Sequence, residues 1–234
     1  MSEILERGDI LFFYRPRVGV SEVRDLDDVQ RFFIILAPEG SSRRRRLIVG
    51  RKRLPDPGAH EREWAFVADV VDDPGALREE LTPTGRPVGE GRYAVVDHGG
   101  HTHLAYRLEL PQEPGEAQRM FAVLPEGSYV IAVRNPDAPA PEGAGLGETQ
   151  RADFPRELRE RFDGRRFIPV NPPTFLDHEG AELVLIGAAE RASEELGIDF
   201  DTEAEPLERA DIFEKLMLRP GEVPTDPLER GALR

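Results

Sequence analysis

The chain predicts an α+β fold: a mostly antiparallel β portion over residues 1–134, then a smaller mixed α/β portion. Three observations carry this. Short apolar runs separated by turn residues recur through residue 134, helix-period signals gather afterwards, and a Pro/Gly/Ala-rich stretch at 135–150 stands between them as a linker or loop. The β portion reads as a barrel or sandwich, single or duplicated.

The first strand opens after a turn at Gly8, in GDILFFYRPRV, and Pro16 ends its regular pairing. A polar, acidic connection runs to Asp28. VQRFFIIL (Val29 to Leu36) is a second, more buried strand closed by Pro38-Glu39-Gly40, and Leu47–Gly50 and Trp64–Val71 supply two more. Arg92 to Leu110, RYAVVDHGGHTHLAYRLEL, is a hairpin signal, because Gly99-Gly100 suits a two-residue primed turn. In that register His98 faces His101, Val96 opposes His103 and Ala94 opposes Ala105. Tyr93, Val95, Leu104, Tyr106, Leu108 and Leu110 form the face expected to be buried, which leaves the histidines on the polar side.

Gln30–Leu36 followed by Pro-Glu-Gly resembles Gln118–Leu124 followed by Pro125-Glu126-Gly127, each downstream of a Tyr-Arg strand. The echo raises the expectation of two similar units, 8–71 and 91–134. After the linker, residues 151–200 carry a short helix from Asp153 to a stop at Gly164, an extended segment over Arg166–Val170, an apolar Leu183–Ile186 of either type, and a helix stopped by Gly197. Residues 201–234 form an acidic tail with one amphipathic helix, Leu207 to Leu218, striped by Ile212, Phe213, Leu216 and Met217. Glu222 to Arg234 lacks periodicity and is expected to be disordered.

Bulk composition excludes several functions. The 234 residues contain no cysteine, so disulfides, thiolate metal sites and cysteine nucleophiles are ruled out. The longest apolar run, Leu183 to Ala189, is too short to span a bilayer, and MSEILERGD is not a secretory leader, so a cytosolic protein with no membrane partner is expected. A formal charge of −14 argues against nonspecific nucleic-acid binding over the whole surface.

Two clusters stand out. His98, His101 and His103 share one face of the hairpin, with opposed Cβ atoms about 5 Å apart, and could converge on a divalent cation such as zinc, iron or manganese. An open coordination position would then allow hydrolysis or oxygen chemistry. His101-Thr102-His103 followed by Glu109 resembles the first cupin motif, which implies these residues as metal ligands. The glutamate follows after five residues instead of three or four, and a second cupin motif is missing.

The other cluster is basic: Arg43, Arg44, Arg45 and Arg46, then Arg51, Lys52 and Arg53, with no acidic residue between them. It could fork onto phosphates, pair with the protein's own acidic surface or with an acidic partner, or serve as a solvated edge strand, and a solvated edge or internal pairing is the favoured reading because no aromatics are interleaved. The opening strand together with WAFVADVV resembles SH3-like and PUA-like barrels, which often bind RNA; the likeness covers the first 75 residues and implies no particular site residue.

The leading expectation is therefore a binding or interaction protein of unknown partner, acting through the hairpin, the basic strip or the terminal helix, the last also able to mediate self-association. The alternatives are a metal-dependent enzyme at the three histidines and local nucleic-acid binding through the arginines. The sequence does not decide whether the protein is an enzyme.

Overall fold

Period-two alternation sends half of each strand's side chains to one face, and in this chain that half is large and apolar. Residues 2–139, 146–202 and 211–233 are described by a computed structural model. Nine strands form a single antiparallel sheet: β1 (Glu3–Pro16), β2 (Val29–Pro38), β3 (Arg44–Val49), β4 (Arg62–Val71), β5 (Arg86–His98), β6 (His101–Leu110), β7 (Glu126–Arg134), β8 (Phe167–Pro169) and β9 (Glu182–Ala189). β1 pairs with both β2 and β5, β6 joins β5 to β7, and β9 joins β7 to β4. The order β1-β2-β3-β4-β9-β7-β6-β5 therefore returns to β1 and closes a barrel. β8 adds to β7 alongside Ala132–Arg134, where β6 no longer pairs.

Ile10, Phe12, Phe32, Leu47, Val67, Tyr93, Tyr106, Tyr129 and Leu183 point inward and belong to one buried cluster. The interior is filled rather than hollow: the Phe12 and Tyr106 rings meet edge-on at 4.9 Å, and Phe32 stacks on Phe121 at 5.2 Å. Phe121 comes from α2 (Glu116–Phe121), which plugs one mouth. Phe154, Phe162 and Phe175, around α3 (Arg156–Glu160) and a 3₁₀ turn at Pro173–Asp177, pack into the same cluster from the other mouth.

Two sectors of the outer wall are roofed. Leu11, Phe13, Phe33 and Ile35 lie at 0–1% exposure beneath α1 (Pro74–Leu81), α5 (Asp211–Lys215) and α6 (Asp226–Arg230). Ala94, Val96 and Ala105 are covered by α4 (Ala192–Leu196) and Phe200.

The hairpin register is as the sequence predicts, with His98↔His101, Val96↔His103 and Ala94↔Ala105, and both turn glycines sit at positive φ (60° and 83°). The histidine face is solvated only at its tip, however, because α4 packs over Ala94, Val96 and Ala105 and His103 is buried. The sequence echo is not a structural one: Gln30–Leu36 lies in β2, whereas Gln118–Phe121 is helical. Gln118 explains the difference, since its Oε1 accepts the Gly115 N–H (2.7 Å) and its Nε2 donates to Val88 O and Pro227 O, fixing a helical turn. Strands from 8–71 and 91–134 enter the same barrel, and the first four do not close a small barrel of their own.

The expectation of a disordered 222–234 is corrected. Val223 and Leu228 are buried, and α6 ends at Gly231, whose carbonyl accepts the Ala117 N–H (2.8 Å). Residues 207–210 of the predicted amphipathic helix and 140–145 of the predicted linker fall outside the described residues; Ile212 and Leu216 are fully buried against the barrel.

Candidate functional site

The three faces singled out by sequence are largely occupied by the chain itself. At the hairpin, His98 Nδ1 lies 2.9 Å from Ser2 Oγ and His103 Nδ1 lies 2.9 Å from the buried Ser128 Oγ. The His98 and His103 rings meet edge-on with centroids 6.1 Å apart, while His101 is exposed at the tip. Burial lowers the His103 pKa below the ordinary imidazole range, against the opposing pull of Glu195. Glu109, six residues along the strand, is about 20 Å away. His60 bonds Gly187 O and His178 packs edge-on to Phe154, so neither joins the group. Among the described residues, no three or more His, Cys, Asp or Glu side chains gather at metal-holding spacing.

The basic strip is split by the alternation of β3. Arg45 turns toward the mouth of the barrel and bonds Glu6 (2.6 and 3.0 Å) and Asp177 (2.7 Å), while Tyr93 Oη donates to the same Glu6. Burial works against the Arg45 charge, but the Glu6, Tyr93 and Asp177 interactions outweigh it and hold its pKa above the usual value. Arg44 and Arg46 point outward: Arg44 bonds Lys215 O (2.9 Å), and Arg46 bonds Asp69 (2.5 Å) beneath a cation–π contact with Phe33. Arg43 pairs with Asp72 and Asp177, Arg51 with Glu63, Arg53 with Glu61, and Lys52 Nζ bonds Leu26 O. A run that looks like one patch in sequence is divided between two faces, its side chains engaged by carboxylates or backbone carbonyls of the chain itself.

The remaining sector of the wall is different. Trp64 of β4, Val184 of β9 and Ala132 of β7 stand in one row across three strands, all outward and half-buried. With Ile186, Phe167 of β8, Arg62, Arg166 and Glu63 they line a groove of about 450 Å³. The Trp64 and Phe167 rings are 5.9 Å apart. Beside them, Arg134 and Glu182 form an ion pair with 0% and 4% side-chain exposure. Arg134 also donates to Ala138 O, and Glu182 accepts the Leu146 N–H (2.7 Å), which pins the chain at both points against the sheet.

Comparison with protein-family models, curated proteins and solved structures returns no match. Function must therefore be read from geometry.

Sequence reasoning placed Trp64 in a strand and Phe167 in an extended segment but had no means of joining them. Their contact depends on β9 lying between β4 and β7, and on β8 joining β7. The β4–β9 pairing spans more than a hundred residues of chain, between Arg62 and Ile186, the other two span several tens, and no local pattern encodes them.

Proposed function

We propose that this is a binding protein and that its ligand surface is the groove around Trp64 and Phe167. One observation carries the reading. Outward apolar residues in the other two sectors are roofed by helices, some to 0–1% exposure, whereas Trp64, Ala132, Phe167, Val184 and Ile186 remain half-exposed in a concave setting. A mainly apolar hollow with a few polar groups at its edge is the usual form of a binding site. The hairpin and basic strip support binding less well, because a partner there must first displace bonds the chain already makes.

The test is chemical-shift mapping of the full chain against a small-fragment set. Shifts clustering on Trp64, Ala132, Phe167 and Val184 are expected. Clustering on His101 or on Arg43–Arg46, with the groove silent, would overturn the assignment.

A further inference from the structure

Resting on that reading, we infer that the groove takes a small molecule with a flat aromatic body and one anionic group, of the aryl carboxylate, sulfonate or phosphate class. Three features lead there.

Size comes first. A volume of about 450 Å³ lies within the range of small-molecule sites. Shape is second: the floor is the stretch of sheet carrying Val184 and Ala132, and the rings of Trp64 and Phe167, inclined at 52° to each other, offer π faces on which a planar ligand can stack.

Charge is third. Among the described residues the Arg62 side chain makes no hydrogen bond or ion pair. Arg166 has no carboxylate partner among the described residues; its guanidinium lies 5.9 Å from the Phe167 ring centroid and, within them, donates one bond, to Pro139 O (3.2 Å). A guanidinium carries five N–H donors, so both arginines retain most of theirs. Among the described lining residues the one acidic group, Glu63, is already engaged by Arg51 (3.2 Å) and by the Trp64 N–H (3.0 Å). The groove is thus locally positive on a chain of formal charge −14. Arg62 shares a row with Ile186 and Val130, and Arg166 stands beside Asn135, so the arginines enter from opposite ends of the groove, on rows about 16 Å apart along the strands. That separation suits a ring system lying between them with its anionic group under one guanidinium.

Trp64 is the chain's single tryptophan, so its indole N–H gives one isolated resonance that reports on the groove. Titrating the full chain with naphthalene-2-carboxylate and with the neutral naphthalene-2-methanol should shift that resonance in both cases, with the carboxylate binding at least about tenfold more tightly. Arg62→Gln, at an exposed side chain with no partner to lose, should reduce the carboxylate's advantage several-fold while leaving the alcohol unchanged, and added salt should act the same way. Equal binding of the two compounds would overturn the anion assignment and leave the groove standing. An indole resonance unmoved by either compound would overturn the groove reading and this inference with it.

Discussion

Glu90 shows how one buried carboxyl can govern a segment. It is 2% exposed on β5, and its two oxygens accept the N–H groups of Asp211 and Ile212 (3.0 and 3.1 Å) at the start of α5. Burial outweighs those bonds and pushes its pKa up to about 8. A carboxyl raised from the ordinary range binds a proton in the folded state that it gives up on unfolding. Its stabilising contribution is full below about pH 4.5 and is lost as pH rises through about 8. His103 has the opposite sign: its lowered pKa gives stability that is present above about 6.5 and is lost on acidification. Glu90 should therefore give the thermal midpoint an alkaline limb, a fall with rising pH that is already under way at neutrality and levels off above about 8, while His103 opposes it below about 6.5. The alkaline limb should flatten in Glu90→Gln, and the same limb should appear as faster amide exchange over Ile212–Leu216. An alkaline limb unchanged in the variant would remove Glu90 as its source. None of this was legible from the sequence, because Glu90 is one of 45 acidic residues and only the fold buries it.

Among the elements, those specified locally were the readable ones. The β5–β6 hairpin was legible to the register, because Gly99-Gly100 fixes the turn and alternation fixes the faces. The α4 stop at Gly197 was legible for the same kind of reason, a glycine at φ 62°. α2 was misread as a strand, since its capping comes from a glutamine whose other bonds reach β5 and the C-terminal segment. α6 was missed because its two anchors, Val223 and Leu228, follow no period and simply fill gaps on the wall. The C-terminal segment therefore adheres by side-chain fit. Leu216, fully buried between α5 and the barrel, should cost about 2–5 kcal/mol when truncated to alanine. Chemical denaturation of Leu216→Ala would show it, and a loss under about 0.5 kcal/mol, the scale of a surface substitution, would mean that the segment does not dock as described.

At the scale of the whole molecule, the sequence conveyed a β-rich α+β chain but not its closure. β9, from the C-terminal portion, is the stave between β4 and β7, with Arg62 paired to Ile186 and Val133 to Leu183. A fragment of residues 1–139 lacks that strand, so it should show no cooperative thermal transition, and mixing it with 146–234 should restore one. A sharp, reversible melt of 1–139 alone would mean that the first seven strands close without help. The order of the staves also matters while the chain is being made. Seven of the eight barrel staves leave the ribosome before β9 does, and over that interval β4 and β7 both present unpaired backbone edges of the kind that template misassembly between nascent chains. The same two edges flank the sheet that carries Trp64, so the surface proposed to hold a ligand is assembled only when the last strand is inserted.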